Sequence, residues 1–223
     1  MTETTPPGPP SDRTRVRRYH WLAKYDRDTI NDIIDAGIVS QIGYVFNGSP
    51  FVTPTCHWRI DDCVYWHGSA ASRMMKTLDQ GVPVCFTVTH LDGVVFSRAA
   101  FNHNILYRSV MAFGTAELLD DDDKKAALAA FTDRLAPGLW AYARPPSERE
   151  WRAVKVFRLK LDEVSAKVAS GLPEEDEADY ATDLWAGHMP LKLTQGAPVP
   201  DPKLKPGIDA PDFVTAFRYV GLR

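Results

Sequence analysis

The stretch Tyr65-Trp66-His67-Gly68-Ser69-Ala70-Ala71-Ser72-Arg73-Met74-Met75-Lys76 changes character part-way along. It opens as a strand, passes a glycine, and then places Met74, Met75 and Leu78 at helical spacing, which predicts a helix over Ser69 to Gln80 stopped by Gly81. A strand that enters a helix through a glycine presents backbone N–H groups and a partial positive charge to whatever lies in front, so the segment is a candidate anion site. Ser69 and Ser72 add hydroxyl donors, Arg73 falls in the first turn, and Lys76 follows one turn later. A cation at that end is mildly disfavoured by the helix dipole, and a bound phosphate would account for it. The plainer reading makes Ser69 an ordinary N-cap with Arg73 and Lys76 solvated. His67 stands between strand and helix; a lone histidine more often fills a structural role, but its place beside a phosphate-bearing ligand makes it a candidate.

Working outward, strands surround this segment. Ile38 to Phe46 is rich in β-branched and aromatic residues, Asn47-Gly48-Ser49-Pro50 is a turn, and Phe51 to Arg59 resumes the strand character. Asp61-Asp62 turns the chain into Cys63 to His67. Val82 to His90, Val94 to Arg98, Ile105 to Leu119 and Val154 to Leu161 read as further strands, the first two joined by a tight turn at Leu91-Asp92-Gly93. Six or seven antiparallel strands with short turns point to a barrel or sandwich. A short helix is predicted from Asp26 to Gly37 on Ile30, Ile33 and Ile34, and another over Asp121 to Leu135 on Leu128, Phe131 and Leu135. The acidic run Asp120 to Asp123 suits the positive end of that helix, and Ser147-x-x-Glu150 is a capping box.

The flanks differ in composition. Residues 1–16 begin with a Pro/Gly-rich run lacking large apolar residues and are expected to be a disordered lead-in. The barrel domain spans 17–170. Residues 171–223 form an acidic, then proline-rich extension expected to pack on the barrel or on a partner subunit.

Composition excludes several classes. The chain of 223 residues is 44% apolar and 11% aromatic, enough for a real core. Its 26 Lys+Arg against 29 Asp+Glu leave a formal charge of −3, against the basic excess of a nucleic-acid binder. No apolar run approaches the roughly 20 residues of a membrane span, and Met1 to Arg18 lacks the apolar core of a signal peptide. A cytoplasmic protein is expected. Cys56, Cys63 and Cys85 form no CxxC pair, and strand alternation around Cys56-His57 and Cys63 with His67 separates the ligands a metal would need, so no metal is expected.

A second chemistry-bearing segment runs from Arg98 to Gly114 and holds His103, Tyr107, Arg108 and Ser109. On a strand, Tyr107 and Arg108 point to opposite faces. An ion pair is the plain alternative for Arg108. No nucleophile elbow, Walker loop or GxGxxG is present.

His67 to Arg73, Thr89-His90-Leu91-Asp92-Gly93, Tyr107-Arg108-Ser109-Val110 with Gly114, and Trp185-Ala186-Gly187 before Pro190-Leu191 together resemble the pyridoxamine 5'-phosphate oxidase-like flavin-nucleotide-binding proteins. The nearest branch in this reading includes the nitroimidazole-resistance proteins, and the resemblance covers roughly Arg17 to Pro200. It implies a mainly β fold with α, an antiparallel split β-barrel with a few peripheral helices, forming a homodimer with FMN in clefts at the interface. It further implies that Ser72 and Arg73 hold the FMN phosphate with Ser69 and Lys76 nearby. Thr53-Pro54-Thr55 would run along the isoalloxazine edge and His67-Gly68 by the ribityl chain, with Tyr107 and Arg108 completing the cleft and Trp185 near the ring. His103-Asn104-Ile105-Leu106-Tyr107-Arg108-Ser109 departs from the His-Ser-x-Asn-Tyr-Arg-Ser of that branch at two polar positions, which puts its substrate in question. No counterpart of the substrate-phosphate residues of vitamin-B6 oxidation is found.

The expected function is therefore an FMN-dependent oxidoreductase acting on a small molecule through the flavin N5, with His67 or Tyr107 handling a proton and Arg108 stabilising an anion. Two alternatives stand beside it: a flavin- or haem-binding protein without turnover, with His67, His90 or His103 as axial ligand, and a reductase using deazaflavin F420.

Overall fold

The structure, a computed structural model, describes residues 7–219. Two short segments open the chain, β1 (Ala23–Lys24) and α1 (Arg27–Asp35). The Asp26 carboxylate caps α1 by accepting the Thr29 N–H at 2.8 Å. Ile30, Ile33 and Ile34 recur on one face and are all buried, each contributing about 1.5–3 kcal/mol by leaving water. Past the helix end, the Arg134 guanidinium donates to the carbonyls of Asp35 at 2.7 Å and Gly37 at 3.2 Å. Arg134 thereby closes the C-terminus from a distant part of the chain.

Then come β2 (Val39–Phe46), β3 (Ser49–Ile60), β4 (Cys63–Ser69), α2 (Arg73–Leu78), β5 (Pro83–Phe96), β6 (Asn104–Thr115) and β7 (Glu117–Leu118). Asn47 and Gly48, with φ of 50° and 74°, make the tight β2–β3 turn. The second half holds α3 (Asp121–Leu135), α4 (Leu139–Tyr142), α5 (Glu148–Ala153), β8 (Val154–Lys160), β9 (Glu163–Ala169), α6 (Glu177–Tyr180), β10 (Gly187–Pro190) and α7 (Asp212–Thr215). Asp120 caps α3 through the Asp123 N–H at 2.9 Å, so the acidic run does sit at the positive helix end. Ser147 and Glu150 form the expected capping box of α5.

All strand pairs are antiparallel, in the order β1-β9-β6-β5-β2-β3-β4-β8-β7, with β10 added on β5. The ends β1 and β7 do not meet, so the barrel is split. Alternation along β4 divides two cores: Val64 and Trp66 face α1, α2, Phe86 and Phe157, whereas Tyr65 faces Trp58, Leu119 and the Ala127 side of α3.

Two elements differ from the sequence expectation. The helix predicted from Ser69 starts only at Arg73, because β4 holds its pairing with β8 as far as Ser69 opposite Val154. The turn predicted at Leu91-Asp92-Gly93 is instead a β-bulge inside one continuous strand, β5, both flanks of which pair with β6. A hairpin would have required the flanks to pair with each other. Three strands, β1, β9 and β10, are additional to those expected.

The flanking segments are built onto the barrel. Thr14 is buried and exchanges hydrogen bonds with Ser11, the Val16 N–H donates to the Tyr25 hydroxyl at 2.9 Å, and Arg13 pairs with Glu163. Residues 11–16 of the expected lead-in make these bonds, and residues 1–6 lie outside the described residues. The extension is held by Glu175, by β10, and by a Tyr142–Phe213 ring contact with centroids 5.2 Å apart.

Candidate functional site

β3 changes partner part-way. Its first half, Ser49 to Cys56, pairs with β2, and only from His57 onward does it pair with β4, starting at His57 opposite Trp66. β4 meanwhile continues along β8 to Ser69. Ahead of His57 the two sheets therefore part, leaving Thr53, Pro54 and Thr55 on one side and His67, Gly68 and Ser69 on the other. The Thr55 hydroxyl spans them, donating to the His67 carbonyl at 3.3 Å.

α2 closes the end of this gap. Ser72 is its N-cap and accepts the Met75 N–H at 3.3 Å, while Ser69 accepts the Ala71 N–H at 3.3 Å. The capping role belongs to Ser72, not Ser69. A Cβ on Gly68 would come within 2.5 Å of the Met75 methyl, the far end of a flexible side chain, so the glycine lets Met75 and α2 lie close against the end of β4. Arg73 and Lys76 are exposed. The Arg73 guanidinium lies over the Phe51 ring at 4.4 Å and near Phe46 at 5.8 Å, and it makes no ion pair among the described residues. The hairpin end thus holds a cation unpaired among the described residues, with Ser69 and Ser72 just before it in the chain where β4 passes into α2.

His67 takes a different side. By alternation it shares the Tyr65 face, where its ring lies 5.8 Å from Trp58 and 5.1 Å from Phe131. Burial holds its pKa below the usual histidine value, so it is neutral near pH 7. The Cys56 sulfur lies 3.6 Å from its Nδ1, and burial raises the thiol pKa, which keeps that partner neutral too.

The other predicted residues form a second group. Tyr107 and Arg108 sit opposite Leu91 and His90, whereas the pairing of β5 with β2 ends at Thr87, about 13 Å down the strand from Leu91 at ~3.3 Å per residue. Arg108 donates from Nε and Nη2 to the two Asp92 oxygens, each at 2.8 Å, and this bond holds its pKa above the usual value. Trp185 is 70% exposed and lies 6.2 Å from the Phe96 ring. One chain therefore brings Thr53–Thr55, Gly68, Ser69, Ser72 and Arg73 to one place and leaves Tyr107, Arg108 and Trp185 elsewhere.

A family model described as pyridoxamine 5'-phosphate oxidase matches residues 26–168. The chain belongs to this family. The flavocytochrome Anf3 of Azotobacter vinelandii is 46% identical, with 95% of this chain and 99% of that one covered and a TM-score of 0.91. The FAD and heme binding protein of Mycobacterium smegmatis is 34% identical over 87% and 96% of the two chains, with a TM-score of 0.84. A candidate 5-nitroimidazole antibiotic resistance protein of Bacteroides thetaiotaomicron, 22% identical over 66% and 86% with a TM-score of 0.54, shares the fold. No curated protein sequence matches.

In this pyridoxamine 5'-phosphate oxidase-family chain the histidines are distinguished by their hydrogen bonds. His57 and His90 each donate Nε2–H to a backbone carbonyl, Ile34 at 2.9 Å and Ile33 at 2.8 Å. His103 accepts the Ser97 N–H on Nδ1 at 2.9 Å, which puts its proton on Nε2 and removes that lone pair from metal ligation. His67 is tied to no backbone group. Two residues that shape the sites escaped the sequence reading. Asp92 looked like turn chemistry, and Glu175 was one acid of the acidic start of the extension. Strand pairing opposite His90 and Arg108 is the signal that exposes Asp92, and no local pattern exposes Glu175.

Proposed function

We propose that this chain binds a flavin nucleotide, FMN or the FMN half of FAD, and acts as an oxidoreductase on a small molecule. The observation carrying this reading is the uncompensated Arg73 cation, held on Phe51 next to Ser69 and Ser72 where the sheets part. A phosphate there would gain charge-assisted hydrogen bonds and neutralise a charge the fold leaves unmatched. Family membership and two relatives named for flavin content support the same assignment. When bound, the flavin would supply hydride or electron transfer at its N5.

The chain's own residues would do the rest. Arg73 and Lys76 would bind the phosphate, the Ser69 and Ser72 hydroxyls would orient it, and the Thr53-Pro54-Thr55 edge would flank the ring. Tyr107 and Arg108, distant within one chain, would complete the cleft from the second copy of a homodimer, with Trp185 covering it. Neutral His67 could accept a proton only by swinging off its aromatic neighbours, so it is the weaker of the proton-handling candidates beside Tyr107. Among the described residues no helix is long and apolar enough to cross a membrane. We take the protein to act in the cytoplasm.

The names of the two relatives also favour a second reading, a chain carrying haem as well as flavin, with or without turnover. His67 and His90 are then the axial candidates: the His67 ring is tied to no backbone group, and His90 donates Nε2–H to the Ile33 carbonyl, the bond that orients a ligating histidine, with Nδ1 left to bind.

The purified protein tests both readings. A yellow protein releasing one fluorescent flavin per chain on denaturation supports the first, and chromatography of the released material separates FMN, FAD and F420. A Soret band lost in His67→Ala or His90→Ala supports the second. A colourless protein that takes up none of these cofactors overturns the assignment. Reoxidation of reduced flavin after adding candidate acceptors decides whether it turns over, and light scattering decides the dimer.

A further inference from the structure

Away from the Arg73 site, a cavity of about 260 Å³ lies between the end of α1, the β5 bulge, Arg108 and the C-terminal extension. Its walls include His90, Asp92, Arg108, Leu191, Lys192 and Tyr219. We propose that it binds a small organic carboxylate, with the carboxylate on Arg108 and Lys192 and the apolar body against the leucines of the extension.

The case begins with Arg108. Asp92 occupies Nε and Nη2 of its guanidinium and fixes the plane of the fork, while Nη1 is buried and has no hydrogen-bond partner among the described residues. A buried donor left unsatisfied is destabilising, more so when charged, and this one borders a space able to hold its acceptor. Lys192 stands on the same wall and makes no ion pair among the described residues. Arg108 and Lys192 thus both border the cavity, and Asp92 is the carboxylate bonded to Arg108.

The charge balance selects the ligand. Asp92 sits directly on Arg108 and Asp32 acts on it from α1, so the cavity is not broadly positive. A monoanion can take the Nη1 and Lys192 donors without crowding those carboxylates, whereas a dianion meets more repulsion. Leu191 and Leu193 add an apolar wall.

The extension is fastened over the cavity. β10 pairs with β5 as far as Pro190 opposite Gly93, and the Leu191 N–H then donates to the Asp92 carbonyl at 2.9 Å. Asp92 therefore orients Arg108 with its side chain and anchors the lid with its backbone. At the far end, the Tyr219 N–H donates to the Gln195 side chain at 3.0 Å, which holds that wall in place.

Benzoate and sulfate, titrated calorimetrically into the full chain with and without flavin, test the site. Benzoate should bind with one site per chain and more tightly than sulfate in flavin-free protein, and flavin, whose cleft Arg108 is proposed to complete, should weaken it. Lys192→Ala, at an exposed position, should weaken benzoate severalfold. Arg108→Gln with Asp92→Asn, which removes the pair together and leaves no lone buried charge, should weaken it by about tenfold or more, the size of one charge-assisted hydrogen bond. Absence of benzoate binding, as for a cavity filled by water alone, overturns the proposal. Unchanged affinity in both variants overturns it as well. Because the readout is heat of benzoate binding in flavin-free protein, its failure is separable from failure of the flavin assignment.

Discussion

The guanidinium carbon of Arg73 stands 4.4 Å above the centroid of the Phe51 ring. This contact ties the first residue of α2 to the β2–β3 hairpin and holds a positive charge where Thr53–Thr55 and Gly68 part. The ring orients the arginine without neutralising it.

Arg73→Glu should lower flavin affinity at least about tenfold, given about 1.5–3 kcal/mol for hydrogen bonds to a charged group. Arg73 is exposed, so the thermal midpoint of the flavin-free protein should barely move. Fluorescence titration of apoprotein with FMN and FAD reads the first, and a melting curve the second. Equal affinity in mutant and wild type would remove Arg73 from the phosphate site.

Glu175 makes the acid side of the stability curve testable. Its side chain is fully covered, which alone would raise its pKa. Bonds from the Ala99 N–H at 2.9 Å and the Arg98 N–H at 2.5 Å, with the Arg98 guanidinium at 2.9 Å, outweigh this and hold the pKa below the usual glutamate value. A carboxylate of this kind stabilises above its unfolded pKa, and the contribution fades as pH falls through the lower folded one. Glu175→Gln should therefore increase hydrogen exchange at Arg98 and Ala99 and proteolysis beyond Pro173 at pH 7, and the difference from wild type should shrink toward pH 3. An unchanged exchange pattern would mean the extension is held elsewhere.

His57 acts at milder pH. It is fully buried, and burial is the main reason its pKa falls from 6.5 to about 4, against the raising effect of its bond to the Ile34 carbonyl. The folded state keeps it neutral while the unfolded chain protonates near 6.5. Stability from this group is complete above that value, declines as pH drops toward about 4, and totals roughly 3 kcal/mol at 1.36 kcal/mol per pKa unit. Urea unfolding at stepped pH should show the slope, and His57→Gln should flatten it. A mutant with the same slope would assign it to other groups.

Gly93 fixes the extension to the barrel. A Cβ at this position would lie 2.7 Å from the Met189 carbonyl oxygen, a backbone atom with little room to retreat. Gly93→Ala should loosen β10, raise proteolysis after Trp185 and lower benzoate affinity at the Arg108 cavity. Full protection of the extension in the variant would contradict this.

The sequence showed the barrel because its meander is locally encoded: turn residues at Asn47-Gly48 and Asp61-Asp62 separate apolar strands. It also showed the cationic corner, since Ser72 and Arg73 are neighbours in sequence. The bulge at Asp92 was hidden because Leu91-Asp92-Gly93 carries the chemistry of a turn, and only pairing of both flanks with β6 distinguishes the two. The late start of α2 was hidden for a similar reason. Small residues at 69–72 suit a helix, but the ladder with β8 retains Ser69. The Arg108–Asp92 and Arg98–Glu175 pairs join residues 16 and 77 positions apart, a relation that no short window contains.

One strand, β3, forms a wall of both sheets, with a crease between Cys56 and His57. The angle between the two walls is set by continuous backbone rather than by whatever sits between them. The parting of the two walls is therefore a property of the folded backbone and need not depend on an occupant.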